Sequence, residues 1–238
     1  IGRIVCLPHD ELHRTDAAFH ALEYLVFSDI EQVNIIARKS PIQAAFTPKE
    51  LQQLIDHPSI NIEVDANDLV FDDAMEASLA LPENAEAKEN IQLLRSIKKP
   101  ENNGNKTIRF MFNRNPEAIE GNNGKATQLK LGINKVSLDR QKKLQVQATG
   151  EYVSIETGIV VTATGYQGTA ISGLEFSDSN GVIANENGQA KLENGELSDK
   201  EFVAGWIKRG ASGVIGTNKS CAVSTVKQLV SHLDKRDS

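Results

Sequence analysis

The sequence predicts an α/β fold: a partial three-layer, doubly wound domain that carries an antiparallel strand insert, followed by a second α/β piece ending in a long helix. Three observations predict it. Helical patterns alternate with the short apolar segments "QVNIIA" and "INIEVD", the order expected of parallel strands joined by helices. From about Lys106 the pattern changes to short alternating strands. The late run "GIVVTATGY" is continuously apolar and stops at a glycine turn, which is how a strand covered on both faces reads.

Taken in order, residues 1 to about 27 read as helical pieces broken near Pro8, with Ala17, Ala18, Ala21, Leu22 and Leu25 at helical spacing. A strand over Val33 to Ala37 then ends in two cations and a proline. Thr47 followed by Glu50 is the pattern of a capping box, in which each residue's side chain satisfies the other's backbone N–H, so a helix starts there. "INIEVD" is the next strand, and "PENNGNK" is a loop. "TIRFMFN", "ATQLKLGINKV" and "QVQA" form the expected antiparallel insert. "NENGQAKLENGEL" carries the Asn-Gly signals of tight hairpin turns. The segment "GWIKRGASGVIGTNKSCA" places a strand-like lead-in over Phe202 to Trp206 before a glycine-punctuated turn. The last helix, about Asn218 to Leu233, is capped by Thr217 or Asn218 and has an apolar stripe of Val223, Val226, Leu229, Val230 and Leu233.

A length of 238 residues allows one large domain or two small ones. The net charge of -6, with no Lys/Arg-rich face interleaved with aromatics, argues against a nucleic-acid binder. The apolar runs are strand-sized and predict no membrane span. Cys6 and Cys221 are far apart, without a CxxC pair or a secretory leader, which points to free thiols in a reducing, cytoplasmic setting.

The glycine-rich segment before the last helix is not a P-loop, because Asn218 rather than glycine precedes Lys219. A strand-to-helix turn of this kind offers outward backbone N–H groups to an anion or a carbonyl-rich ring. Arg38 and Lys39 end the first strand, where in a dinucleotide-binding unit an acid favours NAD and a cation accepts the 2'-phosphate of NADP. A solvated charge pair closing the strand is the other reading. Glu50 is the capping-box acid, and it can also accept from ribose hydroxyls if its carboxylate faces the cleft. His9 and His13, at i and i+4, lack the glutamate of HExxH and a third ligand, so no metal is expected there. "DSNGVIANENG" lacks the alternating acids of a calcium loop and reads as turns. Ser212 and Ser220 have no His-Asp partners in the sequence, so no nucleophilic residue is expected.

The segment "GWIKRGASGVIGTNK" resembles the C-terminal signature of the adrenodoxin reductase type of ferredoxin-NADP reductase. "RKSPIQAAFTPKEL", "IRFMFNRNPEAIEG", "VVTATGYQG" and "GVIANENGQ" are similar to further segments of that family, in the same order. The resemblance runs over nearly the whole chain but matches only the C-terminal half of a family member. It implies that residues 1–156 are a remnant of an NADP-binding domain of Rossmann type, and that 157–238 are the C-terminal part of an FAD-binding domain.

By the same resemblance, Arg38 and Lys39 are the basic pair for the NADP 2'-phosphate, with Lys in place of a second Arg. Glu50 is the acid at the adenosine ribose, and Trp206 is the FAD-contacting tryptophan. Gly213, Val214 and Ile215 are the backbone that bonds the flavin ring, with Gly213 also approaching the nicotinamide. The implied activity passes hydride from NADPH to FAD and then single electrons to a ferredoxin-like iron-sulfur protein. Its dock would be basic, and Lys98-Lys99 and Lys142-Lys143 are the candidates. Ala211 departs from the family proline, and Gln53 stands where the family often has a second acid. The glycine-rich FAD fingerprint and the NADP pyrophosphate loop are not among these residues, so a missing N-terminal half or another chain would supply them. A non-catalytic remnant or docking module with weak NADP binding is the alternative, and a hydrolase built on His9 and His13 is a third.

Overall fold

The protein is described by a computed structural model covering all residues except 99, 101, 102, 142, 214, 237 and 238. Two compact units divide it, Ile1–Val160 and Val161–Ser238.

The first unit opens with three short helices, α1 (Gly2–Cys6), α2 (His9–Leu12) and α3 (Phe19–Val26), then β1 (Gln32–Ile36). Pro8 separates α1 from α2 by taking extended backbone at the α2 N-cap. Next come α4 (Pro48–Ile55), β2 (Ile60–Val64), α5 (Asp73–Leu79), α6 (Ala85–Ser96) and β3 (Lys106–Met111). The capping box at α4 is complete: Thr47 Oγ1 accepts from the Glu50 amide and Glu50 Oε2 accepts from the Thr47 amide. Asp72 Oδ1 caps α5 by accepting from the Met75 amide at 2.8 Å.

The strands form a parallel sheet in the order β1-β3-β2. This corrects the expected topology, because "TIRFMF" is the central strand of the parallel sheet and not part of the insert. Its alternation of Ile108 and Phe110 with Thr107 and Arg109 looks one-sided. Yet β1 and β2 both hydrogen-bond to it, and Ile108 and Phe110 are buried. They join Leu12, Leu22, Leu51, Ile62, Ile91 and Leu94 in the main core.

The insert consists of β4 (Arg114–Asn122), β5 (Lys125–Leu138) and β6 (Leu144–Glu156), all antiparallel. Leu129, Leu131, Val153 and Ile155 form its apolar face and pack on Met111 and Ile36. "QVQA" proves to be only the start of the long β6.

The second unit contains β7 (Phe176–Ser177), β8 (Val182–Ile183), β9 (Asn185–Glu186), β10 (Gln189–Lys191), β11 (Leu197–Phe202), α7 (Trp206–Arg209) and α8 (Ile215–Arg236). The expected Asn-Gly turn joins β9 to β10, with Asn187 and Gly188 both at positive φ. The core is small: Leu174, Ile183, Ala190 and Val203, flanked by Phe176, Leu192 and Ile207.

Three local expectations differ here. "GIVVTATGY" forms no strand, and Ile159, Val161 and Tyr166 are exposed, because no described strand lies beside the run to take its backbone bonds. Trp206 begins a helix instead of ending a strand, since Gly205 turns the chain at φ 70. Helix α8 starts at Ile215, so Thr217 and Asn218 lie inside it and do not cap it.

The α8 face turned toward its own unit is polar. Thr225 Oγ1 donates to the Val203 carbonyl, Cys221 Sγ accepts from the Gly205 amide, and Gln228 donates to Gln189 Oε1. Val223, Val226, Val230 and Leu233 of the expected buried stripe are instead about half exposed.

Candidate functional site

In the first unit the relevant groups sit at the carboxyl ends of the parallel strands, where open α/β sheets receive ligands. The chain leaving β1 is fastened by its backbone. The Ala37 carbonyl accepts from the Arg114 amide at 3.0 Å, the Lys39 carbonyl from the Asn113 amide at 3.2 Å, and the Arg38 carbonyl from Asn134 Nδ2 at 2.9 Å. Ser40, buried, closes the segment by accepting from the Ile42 amide and starting a 3-10 turn at Pro41. The side chains of Arg38 and Lys39 are exposed, and among the described residues neither has an acidic partner. A fixed backbone thus presents two uncommitted cations, which is the chemistry a phosphate dianion requires.

Glu50 stands at the start of α4, the helix that follows β1. Oε2 takes both Thr47 bonds, at 3.0 and 2.8 Å, and no described donor reaches Oε1. The Thr47 amide, then the Thr47 hydroxyl, hold the Glu50 carboxyl below its ordinary pKa. Capping and an acceptor role are therefore compatible in one carboxylate.

Behind the β1 exit lies a pair that sequence reasoning missed. Asp68, 4% exposed, accepts from the Phe112 amide at 3.0 Å and from Arg114 Nη1 at 3.3 Å. Burial raises the Asp68 pKa, opposed by Arg114 and by the Phe112 bond. Because Arg114 also donates its amide to Ala37, the pair braces the turn that carries Arg38 and Lys39. Asp68 and Arg114 are far apart in sequence, and no local pattern joins them.

In the second unit, Trp206, Gly213 and Ile215 occupy one short segment. Gly205, Gly210 and Gly213 all take positive φ, so the chain reverses repeatedly between α7 and α8. At Gly213, φ is 85, and a Cβ would lie 2.7 Å from Thr217 Oγ1. Arg209 steadies the turn by donating to the Ser212 carbonyl and, at 2.6 Å, to Asn218 Oδ1. The first amides of the 22-residue α8 have no intrahelical partners, and the helix dipole makes that end positive. Trp206 is 46% exposed. An open indole beside a glycine-lined helix start fits a planar ring with carbonyl acceptors, so the residues present suit a flavin. Val214 lies outside the described residues, as do Lys99 and Lys142.

The chain is 37% identical over 234 residues to NADPH-ferredoxin reductase FprA of Mycobacterium tuberculosis, covering 98% of this chain and 49% of the relative. The solved structure of M. tuberculosis FprA in complex with NADPH superimposes with a TM-score of 0.84 at 36% identity, over 99% of this chain and 50% of that one. The chain is homologous to half of an NADPH-ferredoxin reductase. The mitochondrial NADPH:adrenodoxin oxidoreductase of Arabidopsis thaliana is also similar, at 31% identity over 249 residues, covering 99% of this chain and 51% of the relative. The chain therefore spans about half the length of the curated relatives it matches. No protein-family model matches it.

His9 and His13 contact each other through Nε2 atoms 2.9 Å apart, and no group of three or more metal-ligating side chains occurs among the described residues. Ser220 Oγ donates to the Thr217 carbonyl within its own helix. The "DSNGVIANENG" stretch forms hairpin turns. No helix among the described residues is long and apolar enough to cross a membrane.

Proposed function

We propose that this chain is the C-terminal portion of an FAD-dependent NADPH:ferredoxin oxidoreductase. In this reading the first unit is the remnant of the NADP-binding domain and the second the closing part of the FAD-binding domain. The observation that carries it is the uncommitted Arg38-Lys39 pair at the carboxyl end of β1, in a chain superimposing on half of an NADPH-bound reductase. Arg38 donates in a fork to the NADP 2'-phosphate, while Lys39 adds a point charge. Glu50 accepts from the adenosine ribose through Oε1. Gly213 and Ile215 would offer backbone N–H groups to the flavin ring, with Val214 between them assigned to the same role by the resemblance alone; Gly213 would leave room for the nicotinamide, and Trp206 would cover one side. FAD and NADPH, when bound, supply the hydride and one-electron chemistry, and a ferredoxin-like iron-sulfur protein takes the electrons. The chain's own work is to select NADP, align the rings and exclude water.

The docking alternative draws support from the exposed run around Ile159, Val161 and Tyr166 and the open valine face of α8, both of which suit contact with further polypeptide.

Calorimetric titration of the chain with NADP+ and NAD+ tests the reading. NADP+ should bind roughly tenfold or more tightly, the worth of charge-assisted bonds to one phosphate, and Arg38→Ala should abolish the preference. Equal affinity for the two nucleotides, or no binding of either, would refute it. A flavin absorption band retained after incubation with FAD and desalting would favour the enzyme over the docking module.

A further inference from the structure

Trp206 does not stand alone. The Tyr166 ring stacks on it with centroids 5.5 Å apart and planes inclined by 29°. Tyr166 is 75% exposed, so the pair lies in solvent and not in a core. Two large rings stacked on each other with open faces are the makings of a platform for a third planar ring.

The pairing is built into the backbone. Tyr166 rides on a turn between Gly165, at φ 111, and Gly168. The Gly168 amide donates to the Gly181 carbonyl at 2.9 Å. A Cβ on Gly168 would fall 2.4 Å from Ile207 Cδ1 and 2.7 Å from the Gly181 oxygen, so only glycine lets this turn lie against α7. Ile207 follows Trp206 in α7. The turn carrying one ring is thereby clamped to the helix carrying the other. No hydrogen bond to the Tyr166 hydroxyl occurs among the described residues, which leaves the ring as the functional part.

We propose that Tyr166 is a positioning residue of the flavin seat: it holds the Trp206 indole at a fixed inclination and makes the pair a two-ring wall for the isoalloxazine of FAD. This rests on the flavin reading of the Trp206-to-Ile215 segment.

Trp206 is the sole tryptophan in the chain, so its emission reports this site alone. The wild-type chain, Tyr166→Phe and Tyr166→Ala are compared in two measurements: acrylamide quenching of Trp206 without ligand, and loss of Trp206 emission on titration with FAD. Tyr166→Phe should match wild type in both. Tyr166→Ala should show stronger acrylamide quenching and a roughly two- to tenfold weaker FAD response, the worth of one aromatic pair. If FAD quenches the wild type and Tyr166→Ala equally, the positioning role is overturned while the flavin seat stands. If Tyr166→Ala leaves acrylamide quenching unchanged, the stack itself is refuted. If FAD leaves wild-type emission untouched, the flavin reading fails and takes this inference with it.

Discussion

Replacing Asp68 tests whether the turn presenting Arg38 and Lys39 is braced from below. Asp68→Ala removes an acceptor that is 4% exposed and strands the buried Phe112 amide, which costs about 1–3 kcal/mol. The lost ion pair adds less than the roughly 3–5 kcal/mol of a fully buried one. Arg114 is 16% exposed and keeps the Phe112 and Asn113 carbonyls at 3.0 and 3.3 Å. Together these give about 3 kcal/mol, or a fall in melting temperature of roughly 6–12 °C for a chain of this size.

Asp68→Asn keeps an acceptor of the same shape and should lose about half as much. It also carries a pH signature. Burial raises the folded-state pKa of Asp68, so its contribution to stability is full below the unfolded pKa and declines as pH rises through the raised value. The deficit of Asp68→Asn relative to wild type should therefore be largest at acidic pH and shrink toward neutrality. Urea unfolding across that range measures both effects. A loss within about 0.5 kcal/mol for Asp68→Ala, or an Asn deficit that grows with pH, would refute the brace.

Thr47→Ala should cost about 1 kcal/mol in urea unfolding by opening the capping box. Because Glu50 titrates below its ordinary value, the wild-type contribution is present above the unfolded pKa and lost as pH falls through the folded one; the variant keeps the amide bond to Glu50 and loses the hydroxyl one, so its acid-side decline should be smaller but not absent. Gly168→Ala should destabilise the second unit by about 1–3 kcal/mol, since the Gly181 carbonyl 2.7 Å away is backbone and cannot swing aside; chemical melts read by Trp206 emission will show it. The double change Val226→Lys and Val230→Lys, at positions 55% and 50% exposed, should leave stability within about 0.5 kcal/mol while reducing self-association in light scattering. A large loss of stability would mean the stripe is covered.

What the sequence made legible was local. The capping box at Thr47, the break at Pro8 and the Asn187-Gly188 turn each depend on a few adjacent residues, and each appears where its residue types require it. Strand neighbours were harder to read. "TIRFMF" alternates like a half-buried antiparallel strand, but β1 and β2 pair with it on both edges and α1 lies against its start, where Lys106 donates to the Val5 carbonyl and the Thr107 carbonyl receives the Cys6 thiol. "GIVVTATGY" shows the opposite limit, because apolar composition records what a segment can bury and not which neighbour lies beside it. Helix α8 misled for a related reason: its valines marked a face able to bury, while its own unit took the side bearing Cys221, Thr225 and Gln228. At the candidate site, Arg38, Lys39 and Glu50 could be singled out from their position in the chain. Asp68 and Tyr166 could not, since each meets a partner remote in sequence.

The strand order β1-β3-β2 also governs when this unit can assemble. The central strand is the last of the three to be synthesised, and Ile36 pairs with Met111 only after the intervening helices have been made. Until β3 has been synthesised, neither β1 nor β2 has the strand that it pairs with in this unit. Such non-local pairing slows folding and prolongs the interval in which nascent chains can associate. Translation pauses before Lys106 would therefore harm the yield of folded protein more than pauses after it.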